Sequence, residues 1–100
     1  MTYLPTVDNR ATNYPPAAYN LGTLREFKEA TVIGLNPADG FYCATETIRH
    51  WTDDSGGPVT QYAYQGAKTW RRTGTGAGGW SSWTQDLDRN AYTGDLNATN

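Results

Sequence analysis

The sequence predicts a mainly β protein: a small antiparallel β-meander with one short N-terminal helix and an extended N-terminal arm. Three observations carry this. Short segments rich in β-branched and aromatic residues recur at even spacing, they are separated by strong turn signals, and no long stretch of helical periodicity interrupts them. A chain of 100 residues forms one domain. Hydrophobic residues make up 37% and aromatics 13%, with 4 Trp and 7 Tyr, so rings must supply much of the burial. Copies of the same chain are a natural source of further burial.

Residues 1–20 read as an extended arm. Pro5, Pro15 and Pro16, together with Asn9, Asn13 and Asn20, oppose regular structure. The arm nonetheless carries Tyr3, Leu4, Val7, Tyr14 and Tyr19, anchors that gain by lying on a surface. Thr23 with Glu26 three residues later has the form of a capping box, and Leu24, Phe27 and Lys28 follow at helical spacing. This predicts a short helix over about 23–30, ended by the β-branched Thr31-Val32-Ile33. Asn36-Pro37-Ala38-Asp39-Gly40 then forms a turn.

A β domain is read over 21–87. Phe41 to Ile48 is its first clear strand, with Phe41, Cys43 and Thr45 on one face and Tyr42, Ala44 and Glu46 on the other. Asp53 to Pro58 breaks the chain. Val59 to Tyr64 is a second strand, with Tyr62 and Tyr64 on one face, and Lys68 to Thr73 is a third. A glycine-rich loop over Gly74 to Gly79 leads into a fourth strand, Trp80 to Leu87. Residues 88–100 are polar and read as an exit linker.

The net charge of −2 and pI of about 5.1 offer no attraction to nucleic acid, and Lys68, Arg71, Arg72 and Arg89 are too dispersed for a phosphate track. No apolar run is long enough to span a membrane, so no insertion is expected. The first twenty residues show no secretory signal pattern. The single Cys43 excludes an internal disulfide and a multi-cysteine metal site, and reads as a small buried residue.

At the third and fourth strands the chain acquires a recognisable pattern. Gln61-Tyr62-Ala63-Tyr64, Lys68-Thr69-Trp70-Arg71-Arg72 and Gly79-Trp80-Ser81-Ser82-Trp83-Thr84 resemble the pyocin-knob type of tail-fibre module, found in phage tail fibres and R-type pyocin fibres. Leu21 to Leu24 and Gly40-Phe41-Tyr42 match its generic opening, and the closing strand pair is the specific part. The segment between Leu24 and Gly40 is longer than in that family, and the arm has no counterpart in it. The resemblance implies a β-rich knob, trimeric within a fibre, resident in the virion after synthesis in the bacterial cytoplasm. It implies contacts with other tail or baseplate proteins and with a bacterial surface glycan, lipopolysaccharide or capsule. It carries over no catalytic residue and no cofactor.

Several patterns invite chemistry and are outweighed by simpler readings. Gly74-Thr75-Gly76-Ala77-Gly78-Gly79 matches a dinucleotide fingerprint but lacks the strand-to-helix context, so it reads as a hairpin loop. His50, Asp53, Asp54 and Ser55 hold the atoms of a triad or metal site, but one His in a Gly-Pro turn supplies too few ligands and no oriented base. Glu46 with Asp53 or Asp54 is a conceivable glycosidase pair, for which a domain of this size offers little cleft. Asn97-Ala98-Thr99 fits the glycosylation triplet and means little without a secretory signal.

The aromatic and basic residues of the later strands are the candidate ligand-binding set: Trp70, Arg71, Arg72, Trp80, Trp83, Tyr62 and Tyr64. In a regular strand Trp80 and Trp83 point to opposite faces, leaving one for a surface or interface. An exposed Trp beside Arg71 or Arg72 would stack on a sugar while the guanidinium binds an anion. The favoured reading is structural, with the rings in the core, in a trimer seam, or stacked on Arg as cation–π pairs. The expected function is thus a non-enzymatic structural and adhesive module of a phage tail fibre or spike. A carbohydrate-binding module appended to a cell-wall or polysaccharide hydrolase is the alternative. A virion-attachment domain, favoured by Met1 and the anchor-rich arm, and a small enzyme are the remaining readings.

Overall fold

A computed structural model describes residues 5–87, and the exit linker, Arg89 and the glycosylation triplet lie outside the described residues. The described residues form a mixed sheet of seven strands. These are β1 (Val7–Asp8), β2 (Gly22–Glu29), β3 (Tyr42–Arg49), β4 (Val59–Gln65), β5 (Lys68–Thr75), β6 (Gly79–Trp80) and β7 (Thr84–Gln85). Strands β2 to β5 form an antiparallel meander, each paired with the next, of which β3, β4 and β5 are the first three predicted strands. β1 adds to β2 in parallel, through Val7 opposite Glu26 and Asp8 opposite Phe27. β6 and β7 both pair with β5, at Gly74–Thr75 and at Trp70–Arg71. No helix among the described residues is long and apolar enough to cross a membrane.

The predicted helix over 23–30 is absent, and Gly22–Glu29 is strand β2. A helix of about two turns is not stable without an apolar stripe to bury. Period-two geometry instead puts Leu24, Glu26 and Lys28 on one face and Arg25, Phe27 and Glu29 on the other. Glu26 and Lys28 then meet each other and the arm, where their charges find partners. Long-range pairing outweighs the local capping signal.

The turns form where the sequence places them. Asn36 accepts from the Ala38 amide at 2.9 Å and opens a 3₁₀ turn over Pro37–Asp39. Asp53 accepts from the Ser55 amide at 3.0 Å and opens another over Asp54–Gly56. Between β4 and β5, Gly66 holds φ at +58°, and a Cβ there would come within 2.7 Å of the Asp39 carbonyl oxygen.

The fourth strand is not continuous. β5 runs on to Thr75, the glycine turn is confined to about 76–78, and Ser81–Trp83 separates β6 from β7. Ser81 causes the break: its amide donates to the Thr73 carbonyl at 2.7 Å and its hydroxyl accepts from the Thr73 amide at 3.1 Å.

The two sheet faces differ. The arm crosses one of them as a strap. A small apolar cluster of Ala30, Ile33, Leu35, Cys43 and Ala63 sits at one end of that face, with Val32, Trp70 and Trp83 packed on it. Apart from Val59, the rest of the buried sheet on the strap face is polar: Glu26, Lys28, Thr45, Thr47, Arg49, Gln61, Gln65 and Arg72 are all buried. The outer face carries Arg25, Phe27, Tyr42, Glu46, Tyr62, Tyr64 and Arg71.

Candidate functional site

The strap is held by directional bonds as well as by the buried Pro16 and the Tyr19 ring, which meets Tyr14 and Trp80 edge-on. Arg49 Nε donates to the Tyr19 carbonyl at 2.7 Å, and its Nη2 donates to the Pro16 carbonyl at 3.1 Å. Lys28 Nζ donates to the Thr12 carbonyl and lies over the Tyr14 ring. The Tyr19 hydroxyl donates to Glu26 at 2.7 Å, and Asn9 donates to the other Glu26 oxygen at 2.7 Å. Burial and the adjoining Glu26 carboxylate push the Tyr19 pKa well above the usual phenol range. Gln61 donates to Thr47 at 2.8 Å and accepts from Arg72 Nε at 2.7 Å, which closes the network. Buried polar groups are tolerable only when paired in this way.

Arg72 occupies the centre of the tryptophan cluster. Its guanidinium carbon lies 4.4 Å from the Trp80 ring centre and 4.3 Å from that of Trp83. Both rings therefore serve one cation on the same face, contrary to the opposite-face expectation, because the break at Ser81 resets the alternation. Nη2 also donates to Asn13 of the strap at 2.8 Å. Burial pulls the Arg72 pKa down to about 10, which leaves it charged at neutral pH. Trp80 Nε1 donates to the Tyr14 carbonyl at 2.7 Å, Trp83 Nε1 to the Ile33 carbonyl at 2.6 Å, and Trp70 Nε1 to Gln65 at 2.9 Å. Thus Trp70, Arg72, Trp80 and Trp83 form the inner architecture, whereas Tyr62, Tyr64 and Arg71 lie on the outer face; the seven candidate residues do not converge on one site.

Across the outer face, Arg25, Glu46, Tyr62 and Arg71 follow one another in register on four strands. Glu46 pairs with Arg25 at 3.3 Å and accepts from the Tyr64 hydroxyl at 3.2 Å. At one end is an aromatic cluster the sequence reading did not single out. Phe27 and Tyr42 stack with centroids 4.9 Å apart, Phe41 meets Tyr42 edge-on at 4.8 Å, and Arg10 lies over Phe27. Phe41 is 53% exposed and Tyr42 43%. A groove of about 390 Å³ lies elsewhere, between the strap and the first half of β2.

No protein-family model matches this chain, and neither the curated proteins nor the solved structures yield a match.

The carboxylates considered for catalysis, Glu46, Asp53 and Asp54, each have structural partners. Asp54 pairs with Arg49 at 3.5 Å and accepts from the Gly76 amide at 2.7 Å, and so staples the glycine turn to the strap side. Asp53 is engaged by Ser55, whose amide and hydroxyl both donate to it. Glu46 sits on the outer face and shares no cleft with Asp54. Among the described residues no three of His, Cys, Asp and Glu cluster as metal ligands. The glycine turn leads into β6 and not into a helix, so it offers no helix N-terminus to a phosphate.

Proposed function

We propose that this chain is a non-enzymatic structural and adhesive module of a bacteriophage tail fibre or spike, built into the virion with copies of itself and with other tail or baseplate proteins. The observation that carries the reading is the Phe27–Tyr42–Phe41 cluster on the outer face. Large rings exposed side by side are costly in a free monomer and are the usual anchors of an interface. In this cluster Tyr42 packs between Phe27 and Phe41, an arrangement suited to interdigitation with another protein chain. The resemblance of the closing strand pair to pyocin-knob modules supports the fibre context, and the mild net charge of −2 gives no reason to expect nucleic acid as a partner.

The test is the absolute mass of the purified chain by size exclusion with light scattering. Three chain masses are expected, reduced to one by Phe41→Ser with Tyr42→Ser. A single chain mass for the parent protein at high concentration overturns self-assembly through this face.

A second reading, a carbohydrate-binding module attached to a cell-wall or polysaccharide hydrolase, is favoured by the groove beside the strap. It predicts a monomer with saturable polysaccharide binding.

A further inference from the structure

The strap face of β2 inverts the usual order of burial. Its inward positions are Leu24, Glu26 and Lys28. The two charged residues are fully sealed, while Leu24 remains 38% exposed beside Leu21, which is exposed as well. Leucine is among the residues most often buried, and this chain has few aliphatic residues to leave in water. The strap covers Glu26 and Lys28 and leaves Leu24 open because the groove intervenes. Its volume, about 390 Å³, is that of a small-ligand site.

The lining defines the ligand. Tyr14, Leu21 and Leu24 form apolar walls, and Asn20, Thr23 and Thr47 add amide and hydroxyl groups. Every described lining residue is uncharged. The nearby Glu26 carboxylate is occupied by Asn9, Tyr19 and Lys28 and projects no unpaired charge. Amides and hydroxyls both donate and accept, as sugar hydroxyls do, and apolar walls suit the C–H faces of a pyranose. A carboxylated or phosphorylated group would find no cation among the described lining residues. Beyond Asn20 and Leu21 the groove adjoins a second hollow, of about 400 Å³, which gives a longer chain room to continue.

We infer that the groove between the strap and β2 is a saccharide site that takes a neutral pyranose unit of a surface glycan. This inference rests on the adhesive part of the proposed function and moves sugar recognition away from the tryptophan–arginine cluster.

The test is a titration of the full chain followed by ¹H–¹⁵N NMR. The probes are maltose, cellobiose, N,N′-diacetylchitobiose and neutral O-antigen oligosaccharides, with an uncharged Gly-Ser-Asn peptide as control. At least one saccharide is expected to give saturable shifts at the amides of Tyr14, Asn20, Leu21, Thr23 and Leu24. Asn20→Ala and Thr23→Val, both at exposed positions, are expected to weaken that binding about tenfold each without changing Tm. The site is overturned if no saccharide shifts those amides, if the control peptide shifts them equally, or if both variants bind as the parent does. Saccharide shifts centred on Phe41 and Tyr42 would overturn this site and leave the adhesive reading standing. Failure of the parent chain to bind purified lipopolysaccharide or capsule in any form would overturn both.

Discussion

Glu26 and Lys28 stand two residues apart on one face of β2, both fully buried, with 3.1 Å between carboxylate oxygen and ammonium. The pair is the floor on which the strap rests, since Glu26 also holds Tyr19 and Asn9 and Lys28 also holds the Thr12 carbonyl. Removing one charge leaves the other uncompensated. Glu26→Gln is expected to cost about 3 kcal/mol, and the double variant Glu26→Gln with Lys28→Met to recover most of it. Urea unfolding of the two variants decides this, and a single-variant loss under about 1 kcal/mol would contradict a charge-dependent floor.

Arg72 is expected not to tolerate lysine. An ammonium cannot span two ring faces while also donating in fixed directions to Gln61 and Asn13. Arg72→Lys should cost about 2–4 kcal/mol and shift the tryptophan emission toward that of exposed indole. Unchanged emission with unchanged stability would show that the sandwich contributes nothing.

Gly74 lies where β5, β6 and the strap converge. A Cβ there would stand 2.4 Å from Pro16 Cγ and 2.8 Å from both the Gly79 carbonyl oxygen and the Trp80 ring. Gly74→Ala should therefore lift the strap, lower stability by about 2 kcal/mol or more, and speed proteolysis between Ala11 and Asn20. Proteolysis at the parental rate would mean the strap does not depend on this contact.

The pattern of successes and failures in the sequence has a physical cause. β3, β4 and β5 were legible because their alternation and their turn residues are local: Asn36 and Asp53 bond their own neighbouring amides. The helix expected over 23–30 failed because the partners of Glu26 and Lys28 come from outside that segment: Asn9 and Thr12 lie more than ten residues before Thr23, and Tyr19 reaches Glu26 only once the strap has folded back over β2. The expectation that Trp80 and Trp83 point to opposite faces failed because a serine hydroxyl, Ser81 Oγ, competes with the ladder. The groove was not legible at all. It exists only where the strap leaves β2, and residues as ordinary as Asn20 and Thr23 carry no signal of it.

Cys43 supplies a prediction in pH. Burial pushes its thiol pKa up to about 11 from 9.0, with Lys28 pulling weakly the other way. The unfolded thiol ionises first, so the folded state binds the extra proton between those values. Stability is then full below pH 9 and falls as pH rises toward 11, by about 2–3 kcal/mol at most. The raised Tyr19 pKa acts in the same direction, starting at higher pH. Cys43→Ala should flatten the lower part of that decline in thermal melts from pH 8 to 11, and an equal slope in both proteins would refute the assignment. Folded Cys43 should also resist iodoacetamide at pH 7.5 on the timescale of minutes.

The strap has a consequence for the order of events at the ribosome. Within this module residues 5–20 precede all the groups that bind them: Glu26 and Lys28 follow soon after, whereas Arg49, Arg72 and Trp80 are made progressively later. Until β5 and β6 have left the ribosome the strap can meet only part of its partners. Its closure is completed late, by bonds between segments far apart in the chain, so a truncated product lacking β5 and β6 should keep a loose strap and be recognisable to the cell's proteases as unfinished.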